Sequence, residues 1–244
     1  MKQVLFSVKE NTPLTSNVYK MTLTGDCSHI TVPGQFVNIK IDGLFLRRPI
    51  SVCDREENTL TIIYKAVGKG TEIMSKMPEG QILDVLTGLG NGYDISLSGE
   101  KPLLIGGGVG VPPMYMLAKE LKEKGKSVSV ILGFNTKSEV FYENEFKALG
   151  CEVEVTTVDG SYATKGFVTD ALPSDYSYFF CCGPEPMLKA VYKATKTSGQ
   201  FSFEERMGCG FGACMGCSCK TVTGYKRICK DGPVLKKEEI LWED

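Results

Sequence analysis

The spacing of apolar positions changes near residue 98. Before that point, short runs of alternating apolar and polar residues, such as VLFSVKE, GQFVNIKI and TLTIIYKAV, are separated by Gly, Pro and Asn turns. Alternation with a period of two is typical of half-buried β-strands, and a series of short strands is typical of antiparallel barrels and sandwiches. Residues 1–98 are therefore predicted to form an antiparallel β-barrel or sandwich.

Strands and helices alternate in residues 99–198. Apolar runs such as PLLI, SVSVILGF, EVEVTTV and SYFFCC are separated by segments with helical spacing, namely PMYMLAKELKEKG, ENEFKALG and PMLKAVYKATK. This order predicts an α/β unit with a parallel sheet and helices on its faces. Residues 199–244 are too few for a core of their own, and they carry five of the ten cysteines.

Composition narrows the possible partners and the compartment. Apolar residues make up 42% and charged residues 23% of the 244 positions, as in soluble globular proteins, and a net charge of -1 offers no electrostatic footprint for nucleic acid. Neither a signal peptide nor an uninterrupted apolar stretch of about 18 residues is visible, so we expect no membrane association and a cytoplasmic chain. In that compartment, clustered cysteines indicate metal or redox chemistry rather than disulfides.

The chain contains a single histidine, His29, within the turn-rich segment GDCSHITVPG. Most acid–base and nucleophile-activating sites depend on imidazole. We therefore expect a protein that moves electrons rather than protons, with His29 a surface loop residue.

Two turns in the α/β unit are candidates for nucleotide binding. A buried strand leads into GGGVGVPP, where Gly107, Gly108 and Gly110 would let backbone N–H groups approach a pyrophosphate; close packing alone would explain the same glycines equally well. The second turn, CCGPEP, contains Cys182 and Gly183. It is predicted at the carboxyl edge of the sheet, where open α/β sheets bind ligands.

The first unit carries a candidate diphosphate site. Arg47 and Arg48 precede a strand in LRRPISVCD, and Gly68, Gly70 and Thr71 are predicted to open a short helix. The arginines could be an exposed charged edge. Together with the glycine turn, however, they become plausible phosphate ligands, and a diphosphate suggests FAD rather than FMN.

Four cysteines crowd the segment ERMGCGFGACMGCSCK, and Cys229 follows. Cys209, Cys214 and Cys217 have the C-x₄-C-x₂-C spacing of plant-type [2Fe–2S] centres. A hairpin turning at Thr223 and Gly224 would bring Cys219 and Cys229 roughly opposite each other, so spacing leaves the fourth ligand open. Structural zinc remains the alternative, although zinc ribbons use two C-x₂-C pairs and this chain has one.

These motifs in this order resemble the ferredoxin reductase superfamily over about the first 200 residues. With the tail YKRICKDGPVL, the whole chain is similar to the iron–sulfur, FAD-containing electron-transfer subunits of NAD-dependent dihydroorotate dehydrogenases. The resemblance assigns Cys182 to the face of the nicotinamide and Cys229 to the cluster, beside Cys209, Cys214 and Cys217. It assigns FAD to three segments: Arg48, Pro49, Ile50 and Ser51; Ile63, Tyr64 and Lys65; and Gly70 and Thr71. Ile50 stands where the superfamily usually has a flavin-stacking aromatic residue, so its expected role is apolar packing, while Ser51 could hydrogen-bond near flavin N5.

The resemblance implies an electron relay and a partner. Dihydroorotate would be oxidised on a separate FMN-containing catalytic subunit, and electrons would pass through this chain's [2Fe–2S] cluster and FAD to NAD⁺, in a heterotetramer with two of each subunit. The alternatives are a flavin iron–sulfur subunit of the ferredoxin:NADP or sulfide dehydrogenase type, a stand-alone NADH oxidase or flavin reductase, and a zinc-held interaction module.

The sequence after the strand SVSVILGF bears on the choice between NAD and NADP. Near the end of SVSVILGF, only Lys137 could attract a 2′-phosphate and no acidic residue stands at the strand end, so sequence barely separates NAD from NADP.

Apolar residues of the cluster loop and of the tail are candidates for a surface that meets the FMN subunit. They are Phe211, Met215, Leu235, Ile240, Leu241 and Trp242.

Overall fold

The computed structural model describes residues 1–242, so the last two residues of the predicted third unit, 243 and 244, lie outside the described residues. Six antiparallel strands close into a barrel in the order β1-β2-β5-β4-β3-β6, which confirms the barrel prediction. Their bounds are Lys2–Pro13 (β1), Val18–Thr24 (β2), Phe36–Ile39 (β3), Arg48–Arg55 (β4), Thr59–Lys65 (β5) and Ile82–Leu89 (β6).

Side chains that point alternately inward and outward along the strands fill the interior of the barrel. In β6, Leu83, Val85, Thr87 and Leu89 are buried and the residues that alternate with them are more exposed, as a period of two requires. Helix α1 (Lys69–Met74) connects β5 to β6, and the side-chain amide of Asn11 donates to the carbonyl oxygen of Met74 at 2.9 Å. The short helix predicted at Gly70 and Thr71 is therefore present and is fastened to the barrel.

The second unit is a sheet flanked by helices. Its strands are β7 (Pro102–Gly107), β8 (Ser129–Phe134), β9 (Glu152–Thr157), β10 (Thr164–Lys165), β11 (Tyr178–Cys182) and β12 (Gly199–Ser202). Three α-helices pack on it: α2 (Pro112–Glu123), α3 (Glu143–Ala148) and α4 (Glu185–Ala194). These six strands are parallel, as the alternation of strands and helices predicts.

The order in which strands are added to the sheet reverses between β7 and β11. Strands β8, β9 and β10 extend the sheet on one side of β7, and β11 and β12 extend it on the other. Cys182 at the end of β11 is in register with Gly106 near the end of β7. The two candidate nucleotide turns therefore lie side by side at the carboxyl edge, at the switch point where such sheets bind ligands.

The remaining strands are β13 (Ser218–Thr221), β14 (Gly224–Arg227) and β15 (Val234–Lys236). The predicted third unit starts with β12, which the main sheet incorporates, and β15 joins the same sheet antiparallel to β12. Between them, β13 and β14 form a separate two-stranded hairpin. The cysteine segment is thus anchored at both ends by the α/β sheet.

The barrel and the α/β unit share an interface. Helix α2 packs against β4, and Lys119 of α2 forms an ion pair with Asp54 of β4 at 3.2 Å. Ile63 and Cys53 of the barrel pack in the same apolar cluster as Leu117 and Val111 of the α/β unit. The strand with the Arg-Pro-Ile-Ser motif is therefore held directly against the second unit. Within residues 1–242, no helix is both long and apolar enough to cross a bilayer.

Candidate cofactor and cluster site

Arg48 and Gly70 form a charged cradle on the barrel. A Cβ atom placed on Gly70 would lie 2.2 Å from Nε of Arg48, so the guanidinium rests directly on a residue that has no side chain. Arg48 donates to backbone carbonyl oxygens of Leu46 and Arg47 and forms no ion pair with any described residue. An arginine without a carboxylate partner, resting on a glycine at the start of a helix, fits an anionic group such as a diphosphate.

Arg47 has a different role. Its guanidinium forms a two-pronged ion pair with Asp84 of β6, at 3.0 and 3.1 Å, and also donates to the carbonyl oxygen of Asn38. The pKa of Asp84 lies below its usual range, because the Arg47 contact outweighs the burial that would raise it. Arg47 therefore joins β6 to the end of β3, and of the two arginines expected to bind phosphate it is Arg48 that has no carboxylate partner among the described residues.

The other predicted flavin residues differ in whether their side-chain hydroxyl groups are already hydrogen-bonded within the chain. Thr71 uses its hydroxyl to accept from the N–H groups of Val67 and Gly68, so it caps α1. The Tyr64 hydroxyl donates to Asn11 at 3.0 Å, and burial raises the pKa of Tyr64. Ser51, in contrast, is half-buried and forms no side-chain hydrogen bond among the described residues. Ser51 therefore has a free hydroxyl, whereas Tyr64 and Thr71 have only backbone groups to offer a ligand.

In the glycine turn after β7, some glycines allow close packing and one exposes its backbone to solvent. A Cβ on Gly110 would lie 2.3 Å from the carbonyl oxygen of Cys182, and one on Gly107 would lie 2.4 Å from the sulfur of Met187. Gly183 is similarly crowded by Met187. Gly108 has a positive φ of 52° and nothing within 4 Å of its Cβ position. Close packing explains Gly107, Gly110 and Gly183, while Gly108 exposes backbone to a ligand.

Cys182 ends β11 as a half-buried thiol. Burial raises the pKa of Cys182 to about 12, and a hydrogen bond with Ser202 offsets only part of that effect. The thiol is therefore neutral at physiological pH. A neutral, polarisable sulfur at the carboxyl edge fits a packing contact with an aromatic ring and does not fit a nucleophile, which would need the thiolate.

The cysteine loop wraps its sulfur atoms with backbone amides. Sγ of Cys209 accepts from the N–H groups of Ala213 at 3.2 Å and Cys214 at 3.5 Å. Burial alone would raise the pKa of Cys209, but the N–H donors of Phe211, Cys214 and Ala213 outweigh it and lower the pKa to about 6. Such a nest of donors stabilises a thiolate, which is the form that binds iron.

The cysteine thiols interact in two pairs. Cys209 contacts Cys214, and Cys217 contacts Cys229, whose N–H also donates to Sγ of Cys217 at 3.4 Å. Among residues 1–242, no three His, Cys, Asp or Glu side chains converge closely enough to hold one metal ion. Two pairs of thiols fit a two-iron centre with two thiolates on each iron.

Cys219 belongs to neither of these pairs. The hairpin turns at Val222 and Thr223, so Cys219 is in register with Lys226 rather than opposite Cys229. The expected opposition of Cys219 and Cys229 is therefore wrong, because the turn falls one residue earlier than predicted. Burial, reinforced by the charge of Glu205, raises the pKa of Cys219.

Sequence reasoning missed three side chains that hold the cysteine loop. The amide Nδ2 of Asn38 in β3 donates to the carbonyl oxygen of Cys209 at 3.3 Å. Arg227 donates to the carbonyl oxygen of Gly212 at 3.0 Å and is itself paired with Asp231. The four-residue spacing of Arg227 and Asp231 was a visible signal, whereas nothing local marked Asn38.

The predicted docking residues differ in exposure. Phe211 is 42% and Met215 54% exposed, and Leu241 is also exposed. Leu235 and Ile240 are buried within the chain's own core, so they are not surface residues as expected. Trp242 packs against Phe203 and Tyr192 of this chain, with ring centroids 5.7 and 6.2 Å apart. Of the predicted docking residues, those exposed are therefore Phe211 and Met215 of the cysteine loop and Leu241 of the tail.

Two family models match this chain, one over the α/β unit and one over the cysteine segment. Residues 204–241 match the family model described as the iron–sulfur cluster binding domain of dihydroorotate dehydrogenase B, and residues 104–193 match an oxidoreductase NAD-binding domain. The chain is 47% identical to the dihydroorotate dehydrogenase B (NAD(+)) electron transfer subunit of Fusobacterium nucleatum, with 96% of each chain covered. It is 44% identical to the subunit of the same name from Geobacillus sp. strain WCH70, with 99% of each covered.

The chain belongs to this family of electron transfer subunits. A solved structure described as an NADH-dependent reduced ferredoxin-NADP oxidoreductase superposes with a TM-score of 0.88 at 31% identity, covering 97% of this chain and 90% of that one. Members of the family are oxidoreductase subunits, and the two matched models correspond to the α/β unit and the cysteine segment of this electron transfer subunit.

Proposed function

We propose that this chain carries electrons between an FMN-containing dihydroorotate dehydrogenase subunit and NAD⁺, with FAD on the barrel and a [2Fe–2S] cluster in the cysteine loop. One observation carries the proposal. Pro49 of the flavin motif is in register with Asn38, and the Asn38 amide is hydrogen-bonded to the carbonyl oxygen of Cys209. A single strand thus separates the flavin motif from the first cluster ligand, which is the proximity that electron transfer requires.

The barrel residues would hold FAD by charge and by shape. Arg48 supplies an unpaired guanidinium for the diphosphate, and Gly70, which has no side chain, lets that guanidinium lie directly against the start of α1. Ser51 offers a free hydroxyl, and Ile50 offers an apolar side chain next to it on β4. The remaining residues of the proposed FAD site would contribute backbone atoms and packing; they are Pro49, Ile63, Tyr64, Lys65 and Thr71. When bound, FAD exchanges a hydride with nicotinamide and single electrons with an iron–sulfur cluster.

The cluster ligands we propose are Cys209, Cys214, Cys217 and Cys229. Their pairwise contacts and the amide donors around Cys209 support that set. Gly208 and Gly216 lie on either side of Cys214, where a Cβ would come within 3.2 and 3.6 Å of its sulfur. Glycine at both positions leaves room around the most exposed of the four thiols.

The α/β unit would bind NAD at the switch point. Gly108 offers its backbone to the pyrophosphate, while Gly107, Gly110 and Gly183 allow the turns after β7 and β11 to approach each other. The neutral thiol of Cys182 would face the nicotinamide. Helix α2 begins immediately after the first turn with two prolines, so its amino end points to the same edge.

The partner would dock on the cysteine loop. Phe211 and Met215 are exposed beside Cys214, and exposed apolar groups next to a redox centre indicate a contact surface. We assign this surface to the FMN-containing catalytic subunit and expect a heterotetramer of two subunits of each kind. The unpaired cysteines of residues 1–242 favour the reducing cytoplasm as the working compartment.

Cofactor analysis of the anaerobically purified chain tests the proposal. We expect one FAD, two irons and two acid-labile sulfides per chain, together with NADH oxidation by artificial electron acceptors in the absence of any partner. Zinc without sulfide would contradict the cluster assignment. FMN instead of FAD would contradict the barrel assignment.

A second candidate has specific support in the 31% identical ferredoxin-NADP oxidoreductase structure. In that case the partner would be a subunit that handles ferredoxin rather than dihydroorotate. Supplying each purified partner in turn and recording which one restores NAD⁺ reduction separates the two candidates.

A further inference from the structure

An acidic side chain is fixed at the carboxyl end of β8, where sequence analysis expected none. Glu139 accepts two hydrogen bonds at Oε2, from the backbone N–H of Asn135 at 3.2 Å and from its side-chain amide at 2.8 Å. Asn135 is the first residue after β8, so these bonds hold the carboxylate close to the strand end. Oε1 is left free, and Glu139 forms no ion pair with any residue in the described range.

Glu139 shares a cleft with the proposed nucleotide turn. The α/β unit lines this cleft with Glu139, Gly108 and Val109, and the barrel lines it with Asn17, Val18 and Lys65. Strand β8 is hydrogen-bonded next to β7, whose end runs into Gly108. A nucleotide whose pyrophosphate lies at Gly108 would therefore reach the end of β8 with its adenosine half.

A carboxylate at this place distinguishes the two nicotinamide nucleotides. In parallel α/β sheets, an acidic residue near the end of the neighbouring strand accepts hydrogen bonds from the 2′-hydroxyl of the adenosine ribose. The same carboxylate repels a 2′-phosphate, since like charges at short range destabilise each other.

Lys137, the cation that could favour a 2′-phosphate, is not among the residues that line the cleft. The ammonium group of Lys137 lies over the Tyr162 ring, 5.7 Å from its centroid, and the Lys137 backbone N–H donates to the Ser161 hydroxyl at 2.8 Å. Lys65, the cation among the cleft residues, belongs to the barrel and is assigned to FAD. The adenosine side of the cleft therefore presents a negative charge.

We propose that Glu139 selects NAD over NADP by accepting a hydrogen bond from the ribose 2′-hydroxyl and repelling a 2′-phosphate. The inference rests on the proposed NAD-binding function and adds its specificity-determining residue. Lys137 takes no part in the selection.

Direct binding of nucleotide fragments tests this selection without relying on turnover. Calorimetry with ADP-ribose and 2′-phospho-ADP-ribose gives a preference ratio for the FAD-loaded wild type, E139Q, E139D and K137Q. We expect the wild type to prefer ADP-ribose, E139Q to reduce that preference by about tenfold, the effect of one charge-assisted hydrogen bond, and E139D to keep discriminating against the 2′-phosphate. K137Q is the matched control and should leave the ratio unchanged.

The outcomes separate the inference from the function on which it rests. An E139Q ratio equal to that of wild type, or a ratio that changes in K137Q instead, would overturn the role of Glu139 while leaving NAD binding intact. A folded, FAD-loaded wild type that binds neither fragment nor NADH would overturn both. The FAD content of each variant establishes that it is folded, and E139D provides a charge-retaining test if E139Q fails to fold.

Discussion

Asn38 and Cys209 join the barrel to the cysteine loop through one hydrogen bond, from the Asn38 amide to the Cys209 carbonyl oxygen at 3.3 Å. Asn38 is only 1% exposed. A Cβ on Gly210 would lie 2.3 Å from the same amide nitrogen, so the loop can approach this closely only because residue 210 is a glycine with a φ of 79°. The contact therefore fixes the distance between the proposed flavin and cluster positions.

Replacing Asn38 by leucine should loosen that connection. N38L leaves the partly buried carbonyl oxygen of Cys209 without this donor, which costs about 1 kcal/mol of stability. We expect normal FAD and iron contents, a lower denaturation midpoint, and slower reduction of the cluster by NADH in stopped-flow absorbance. N58A, at a turn of the barrel, is the control. Equal cluster-reduction rates in the two variants would show that Asn38 has no positioning role.

The fourth cluster ligand can be tested by comparing two cysteines. C229A removes a thiol that contacts Cys217, whereas C219S changes a residue in register with Lys226. We expect C229A to abolish the visible cluster spectrum and the acid-labile sulfide, and C219S to retain most of both. The reverse pattern would assign the site to Cys219.

Two glycines of the α1 turn provide a matched test of the FAD site. G70A places a methyl group where Arg48 Nε now lies, 2.2 Å away, so the guanidinium must move. In G68A the methyl group meets nothing within 4 Å, and a φ of -164° suits alanine. We expect G70A to lose at least about tenfold in FAD affinity, since a displaced arginine forfeits a charge-assisted phosphate contact. Flavin release on dilution measures this, and similar release from G68A would contradict the assignment.

The proposed docking surface can be tested by charge. Glutamate at Phe211 or Met215 should weaken binding of the FMN-containing subunit and suppress the coupled reaction while sparing NADH oxidation by artificial acceptors. Phe167 is 63% exposed beside β10, at the edge of the sheet opposite the cysteine segment, so F167E is a suitable control. Pull-down and coupled assays that do not distinguish M215E from F167E would place the partner elsewhere.

Local patterns predicted the fold well because each element carries its own signal. Alternation predicted the barrel strands, helical spacing predicted α2, and the cysteine spacing identified the loop that the iron–sulfur family model matches. These features depend on residues close together in the sequence.

Three features could not be predicted from local sequence patterns, and two of them depend on residues far apart in the sequence. Arg47 and Arg48 are adjacent in sequence, but only the fold shows that Asp84 neutralises the first and leaves the second unpaired. Asn38 meets Cys209 across 171 positions, which no local pattern can reveal. Glu139 is four residues beyond Asn135, and the hydrogen bonds from Asn135 that hold its carboxylate at the end of β8 are visible only in the structure.

The central claim is that this chain connects dihydroorotate oxidation to NAD⁺ but cannot oxidise dihydroorotate itself. Anaerobic NADH formation from dihydroorotate and NAD⁺, followed at the NADH absorbance, tests it with the chain alone and with the purified FMN-containing subunit added. The account predicts no NADH from the chain alone and sustained NADH formation once the FMN-containing subunit is present. Dihydroorotate-dependent NADH from the isolated chain, or none after the two proteins are combined, would contradict it.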